Sequence, residues 1–394
     1  MAPALQLQRD VTTSGPTHDA ERVAAEAVIL EQVHRFARRS VDTLTRQPEA
    51  PMAASDMEAL LREAAAMGVV AQAADERAGV WDTAADGPAA ALSAQILRRL
   101  ARSSAAVALA VHRTSLARWI VGRLGAALPG RGVATIQGRF GLGRGSLARC
   151  LAGAPLDDDD RAMLADCYGA NEERLVTSHE RFDWIVAPVA DAGGSFGWAA
   201  WPVEALSIRR HAHAHGLDEL ATFAVRPRDD RGESLVQSGD ATAAAACFAA
   251  ALCMEALGLM AIGLGAAEQA HARARAYASA RSQGGRPIEG HPAVQLLLAS
   301  SASAIVTVEA LVDAAARRPM GAAGLAGVLA ARAEAHPLLC RGANDALQVF
   351  GGSGYMRDTG AEKTVRDLNH LRVTSGSPPE LSLFAAEWET LHGG

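Results

Sequence analysis

Apolar and polar residues alternate along the chain with two different spacings, and these divide it into three blocks. From Val23 to Leu124 apolar positions recur every three to four residues, the spacing of a helix buried on one face. The segments Val23–Arg39, Asp56–Met67, Ala89–Leu100 and Ser104–Leu124 carry it. Ser55 and Glu58 stand at capping-box spacing, Gly68 suits a left-handed stop, and Pro88 suits a first helical position. Gly125 and the Pro129-Gly130 pair close the block. From Gly132 to Leu235 the pattern shifts to short apolar runs between turn residues: Val133–Ile136, Leu175–Thr177, Trp184–Val189, Gly197–Trp201, Leu206–Arg210 and Ala221–Val225. These read as strands of a small, mostly antiparallel sheet domain. The acidic run Asp157–Asp160 reads as a solvated loop that also favours a helix N-terminus. Long helical patterns return over Ala241–Arg281, Ala293–Ala316 and Ala322–Val349. The expected fold is therefore mainly α with a β domain: an N-terminal helical domain over 1–130, a middle antiparallel β domain over 131–238 and a C-terminal helical bundle over 239–394.

Composition supports this layout and removes several function classes. Much of the apolar content is alanine, the strongest helix former, and aromatics are 4% of the 394 residues. A formal net charge of −6 and the lack of any Lys/Arg block argue against a nucleic-acid partner. The five cysteines are odd in number and widely spaced, which argues against a disulfide framework or a zinc site and for a reducing, cytoplasmic setting. The first residues lack the apolar core of a signal peptide or anchor. Ala241–Ala267 is long enough to span a bilayer, but alanine and glycine dominate it and Glu255 interrupts it, so a buried core helix is expected and no membrane.

Three short patterns invite a function and lose it in context. Gly193-x-Ser195-x-Gly197 matches a serine-hydrolase elbow, yet a strand-like run follows where a helix is required, so a hairpin turn is expected. Gly141, Gly143 and Gly145 lack the third glycine spacing and the βαβ setting of a dinucleotide loop. His211, His213 and His215 would share one strand face but have no evident carboxylate or cysteine partner, so no metal is expected.

The C-terminal block carries the chemistry. Gln348-Val-Phe350-Gly351-Gly352-Ser-Gly354-Tyr355, followed by Arg366-Asp367 and Leu371-Arg372-Val373, places glycines after a helix, where backbone N–H groups can approach a ligand closely. The full string closely resembles the acyl-CoA dehydrogenase family pattern. A second segment, Arg281-Ser-Gln283-Gly-Gly285-Arg286-Pro287-Ile288 with Val294-Gln295, is similar to another motif of that family. The resemblance implies FAD as cofactor. Arg281 and Gln283 would hold its diphosphate, and Gln348, Gly351 and Gly352 would reach the adenosine diphosphate of a neighbouring subunit's FAD. Gly284 stands where the family has an aromatic residue.

In most of the family a glutamate after the Leu-Arg segment removes the substrate's α-proton. Here that triplet reads Ser375-Gly376-Ser377. A minority, the isovaleryl- and long-chain-specific types, carries the base on an earlier buried helix, at an interval before the FAD arginine that falls here on Glu255. Glu255 is also the lone acid of its apolar run: uncompensated, it would have a raised pKa suited to a general base, and the alternative is a buried structural glutamate paired with an arginine or capped by hydroxyls. The resemblance further assigns Ser375 to the thioester oxygen through its main-chain N–H, and Thr177 and Ser377 to the flavin. It implies an FAD-dependent α,β-dehydrogenation of an acyl-CoA or acyl-carrier-protein thioester. The electron acceptor would be electron-transfer flavoprotein or oxygen, and the assembly a homodimer or homotetramer. The alternatives are a same-fold flavin monooxygenase and a non-catalytic partner subunit of an active homologue.

Overall fold

A computed structural model describes residues 16–45, 52–71, 79–81, 87–136, 145–211, 214–228 and 240–392. Gly141 and Gly143 of the glycine cluster and His213 lie outside the described residues. The chain opens with α1 (Pro16–Phe36), which runs on into a π-helical turn over Ala37–Val41. It continues with α2 (Ala54–Ala66), α3 (Gly87–Ala101) and α4 (Ala105–Arg123). Ser104 caps α4 by accepting from the Val107 N–H at 3.2 Å. The expected capping box at Ser55 does not form. Ala53 is the N-cap of α2 and makes no side-chain bond, and Glu58 instead pairs with Arg181.

All six expected runs form strands: β1 (Gly132–Ala134), β2 (Arg174–Ser178), β3 (Trp184–Ala190), β4 (Phe196–Pro202), β5 (Leu206–His211) and β6 (Ala221–Pro227). They make two three-stranded sheets, β1-β3-β4 and β2-β6-β5. Pairing is antiparallel except between β1 and β3. Among the described residues between β1 and β2 are two helices, α5 (Ser146–Ala152) and α6 (Asp158–Tyr168). The acidic run begins α6, with Asp157 and Asp160 forming a capping box. Gly194 and Ser195 lie in the β3–β4 hairpin turn, as the context of the false elbow indicated.

The C-terminal helices are α7 (Ala241–Ala280), α8 (Pro292–Ala316), α9 (Ala322–Val349), α10 (Ala361–Val373) and α11 (Pro378–His392). Before α8 stands a hairpin of β7 (Ser282–Gln283) and β8 (Arg286–Pro287). The 40-residue α7 is the axis of the molecule and packs against α3, α4, α8 and α9. It is long and apolar enough to cross a bilayer, but 83% of that window is buried within the fold. Its glycines allow the neighbours to come close: a Cβ at Gly258 would lie 2.5 Å from the His112 ring, and one at Gly265 would strike the α3 backbone. The Arg366-Asp367 pair ties the sheet region to α10. Asp367 accepts the Leu217 N–H at 2.6 Å, and Arg366 pairs with Asp218. Gly216 fits there because a side chain would strike the Arg366 carbonyl.

Candidate active site

Glu255 lies in the middle of α7, facing α4, and is 1% exposed. Its carboxylate receives three bonds. His112 Nε2 lies 2.7 Å from Oε2, Arg113 Nη2 3.1 Å from Oε1, and the Ser375 hydroxyl 2.7 Å from Oε1. Trp81 settles the histidine's tautomer. Its indole N–H, which can only donate, meets His112 Nδ1 at 2.8 Å. His112 therefore accepts at Nδ1 and donates from Nε2.

This surrounding overturns one expectation. Burial does push the Glu255 carboxyl up, but the Arg113 charge and the bonds from His112 and Ser375 outweigh it and hold the group well below the usual carboxylate range. Glu255 is not an uncompensated base in an oily helix. It is an anion latched by an arginine that the sequence reading passed over. The signal was available, because His112-Arg113 follows the apolar run Ala105–Val111 on a helix that the pattern buries.

Ser375 is held by its own buried arginine. It has φ +54°, a left-handed conformation uncommon for serine. Arg332, 1% exposed on α9, donates to the carbonyls of Thr374, Ser375 at 2.9 Å and Gly376 at 3.3 Å. Three carbonyls converging on one guanidinium turn the Ser375 side chain toward Glu255. Burial brings the Arg332 guanidinium down to about 10, so it stays charged at neutral pH.

Thr177, at the end of β2, lies on the far side of Arg113, which donates to its carbonyl at 3.2 Å. His370 fixes the direction of the threonine's own bond. Its Nδ1 meets the His215 carbonyl at 2.8 Å and must donate, so its Nε2 accepts the Thr177 hydroxyl at 3.1 Å. Thr222 stands 3.1 Å from the same hydroxyl. The Thr177 side chain is thus committed within the protein. Ser377 departs further from its expected role. Its N–H and hydroxyl both bond Glu380, at 2.8 and 2.6 Å, in the arrangement of a cap on α11. That is a structural duty in place of the expected flavin contact.

The other expected cofactor residues gather at the far end of α7. A groove of about 520 Å³ is lined by Tyr277, Arg281, Gln283, Phe350, Gly351 and Gly352 among others. Arg281 and Gln283 are exposed there. Gly351 and Gly352 leave the groove open, because a Cβ on either would meet nothing within 4 Å. Gln348 is beside it, bonded to the Tyr355 hydroxyl. Gly284 and Gly285 both have positive φ, as the two-residue turn between β7 and β8 requires. The aromatic face comes instead from Tyr277 and Phe350, stacked with centroids 4.6 Å apart, which the sequence reading did not single out.

The donor set of this groove suits a nucleotide diphosphate: an exposed guanidinium, a carboxamide, open glycine backbone and an aromatic pair. The Glu255 end does not suit a flavin ring as it stands, because Arg113 fills the space between Glu255 and Thr177. Among the described residues there is no cluster of His, Cys, Asp and Glu that could hold a metal.

Comparison with known proteins matches both the fold and the C-terminal half. The family described as acyl-CoA dehydrogenase, C-terminal domain, matches residues 245–378. The probable acyl-CoA dehydrogenase YngJ of Bacillus subtilis is 32% identical over 126 residues, covering 31% of this chain and 32% of its own. The chain thus matches about a third of the length of such curated relatives. The solved butyryl-CoA dehydrogenase of Megasphaera elsdenii superposes with a TM-score of 0.70 at 16% identity, over 92% of this chain and 97% of its own. The FAD complex of PigA superposes with a TM-score of 0.70 at 15% identity, over 94% and 98%.

Proposed function

We propose that this chain, whose residues 245–378 match the acyl-CoA dehydrogenase C-terminal domain and whose fold superposes on butyryl-CoA dehydrogenase, is a member of that family and an FAD-dependent oxidoreductase acting on an acyl thioester. The observation that carries this reading is the meeting of Glu255 and Ser375. They lie 120 residues apart in sequence, the resemblance assigns Glu255 as base and the Ser375 main-chain N–H to the thioester oxygen, and the Ser375 hydroxyl bonds the Glu255 carboxylate at 2.7 Å. The groove around Arg281, Gln283, Gly351 and Gly352 would hold the FAD diphosphate, with Tyr277 and Phe350 beside the adenine. Bound FAD would supply the acceptor for the hydride leaving the β-carbon. Glu255 would take the α-proton as the carbon–carbon double bond forms, and the Ser375 N–H would hold the thioester oxygen.

For this to occur Arg113 must first leave Glu255. Once it does, burial is the largest remaining influence on the carboxyl and raises its affinity for a proton. The base is therefore weak when latched and strong when released. The carrier would be CoA or an acyl-carrier protein, the acceptor electron-transfer flavoprotein or oxygen, and the setting the reducing cytoplasm, in keeping with five free cysteines.

Anaerobic mixing tests the reading. The purified protein should be yellow and should bleach with an acyl thioester, and Glu255→Gln should abolish bleaching while retaining colour. A second reading is favoured by one contrast: the nucleotide groove is open while the Glu255 end is closed by Arg113. On that reading the chain is a non-catalytic subunit that completes a partner's FAD site. A colourless protein that acquires activity only with a second chain would select it.

A further inference from the structure

The buried cluster around Glu255 does not balance in charge. Two guanidiniums, Arg113 and Arg332, at 5% and 1% exposure, share one carboxylate at 1%. The other titratable groups facing the cluster contribute no charge. His112 accepts from Trp81 and donates to Glu255 in its neutral form. His336, beside Arg332 and fully buried, is brought down to about 3. His370 is held below its usual range by burial and sits in a neutral chain from Thr177 to the His215 carbonyl. The acid on α10, Asp367, is already spent on Lys363 and the Leu217 N–H.

The two arginines differ in how well they are satisfied. Arg332 spreads its charge over three fixed carbonyls. Arg113 has one carbonyl at 3.2 Å, the Ser375 oxygen at 3.4 Å and a half share of Glu255. The buried Nε of each arginine has no partner. A buried donor without an acceptor is costly, and so is a buried charge without a counter-charge. The cluster is one anion short, and the arginine that latches the base has the fewer fixed acceptors, one carbonyl against three.

We propose that the substrate supplies this anion: the thioester handled here carries a carboxylate on its acyl group, and that carboxylate takes over Arg113. The inference rests on the thioester-dehydrogenating reading of the site. The Nε and Nη groups along one edge of a guanidinium match the two oxygens of a carboxylate. When Arg113 turns to the substrate, Glu255 loses its direct cationic partner and keeps only neutral donors, His112 and Ser375. Its burial then favours proton uptake. Glu255 would then take the α-proton, FAD would supply the acceptor for the β-hydride, and the acyl group would gain one double bond. The group that recognises the substrate also releases the base, whereas a neutral acyl chain leaves Glu255 latched. A ligand shifts such an equilibrium only through its differential interaction with the two states, and here the differential is the carboxylate.

The test pairs thioesters of equal chain length: butanoyl-CoA with succinyl-CoA, and hexanoyl-CoA with adipoyl-CoA. Affinity is read by calorimetric titration of the full-length protein, and turnover by flavin bleaching. The carboxylate member of at least one pair should bind more than about tenfold tighter, the effect of a charge-assisted hydrogen-bond pair. Arg113→Gln should erase that difference, and Arg113→Lys should keep part of it. Glu255→Gln, which frees Arg113 of its internal partner, should tighten the carboxylate ligand further and leave the neutral one unchanged. Equal affinities within both pairs, or a preference that survives Arg113→Gln, overturns the inference. If the pairs differ in binding but no thioester bleaches the flavin, the inference stands and the dehydrogenase reading fails.

Discussion

The Ser375 hydroxyl donates to the Glu255 carboxylate at 2.7 Å, joining the turn after α10 to the centre of α7. The substitution of serine for the family's glutamate at the triplet and the presence of Glu255 on the helix are therefore one arrangement seen from two sides. A second carboxylate at position 375 would face the first, and like charges at that separation cannot both remain ionised.

Acid stability should report the latch. The folded-state pKa of Glu255 is lowered from 4.5, so its ion pair contributes stability that is complete above about pH 4.5 and is lost as pH falls toward the folded value. Glu255→Gln should cost about 3–5 kcal/mol at neutral pH, the loss typical of breaking a buried pair from one side. The difference from wild type should shrink below the unfolded pKa, where the native glutamate begins to lose its advantage. Urea unfolding at a series of pH values measures both, and parallel profiles for the two proteins would contradict the assignment.

His336 and His179 should depress stability on mild acidification. Burial brings both down to about 3 from 6.5, so the unfolded chain takes up protons that the folded chain refuses between those values. Each should remove about 2 kcal/mol between pH 7 and pH 5, as the shift implies. Neither ring nitrogen of His336 has a hydrogen-bond partner. His336→Leu should therefore be close to neutral at pH 7 and should flatten the slope of stability between pH 6.5 and pH 5. A slope equal to wild type would refute the neutral buried histidine.

Two conservative substitutions separate the nucleotide groove from the cap on α11. Arg281→Gln should weaken FAD retention about 10- to 100-fold, as expected for losing a charge-assisted bond, with little change in melting temperature. Ser377→Ala should do the reverse. Losing the hydroxyl's bond to Glu380 should cost about 1 kcal/mol and leave flavin content unchanged. Flavin absorbance after gel filtration, with thermal unfolding alongside, reads both. Loss of flavin in Ser377→Ala would restore the cofactor role that the Glu380 contact argues against.

Gly258→Ala should report the seating of His112. The added methyl would lie 2.5 Å from the ring, so helix or histidine must move, at about 1–3 kcal/mol for overpacking. The Trp81 bond to the same ring should loosen with it. Near-ultraviolet circular dichroism and tryptophan emission would show the change, and an unaltered spectrum with unaltered stability would show that the slot has slack.

Periodicity made the helical and strand segments readable because burial on one face repeats at 3.6 or 2.0 residues whatever the neighbour is. Every expected strand lies within a residue or two of its observed bounds, and Ala322–Val349 agrees at both ends. Sheet count and the one parallel pairing were not readable in this way. Pairing depends on residues far apart in sequence, and β1 beside β3 is parallel because α5, α6 and β2 intervene before the chain returns. The capping box at Ser55 failed for a similar reason: its glutamate found a better partner in Arg181, 123 residues away.

The sequence by itself determined the helix–sheet–helix order, the two segments that meet in the groove around Arg281 and Gly352, and the position of Glu255 on a buried helix, since each rests on local spacing or on a contiguous motif. Only the tertiary structure decided what that glutamate is. A carboxylate's proton affinity is set by the charges within a few ångströms, and Arg113, His112 and Ser375 reach it from 142, 143 and 120 residues away. No pattern along α7 could indicate whether burial or those neighbours would prevail, because that balance exists only once α4, α7 and the Ser375 turn are packed together.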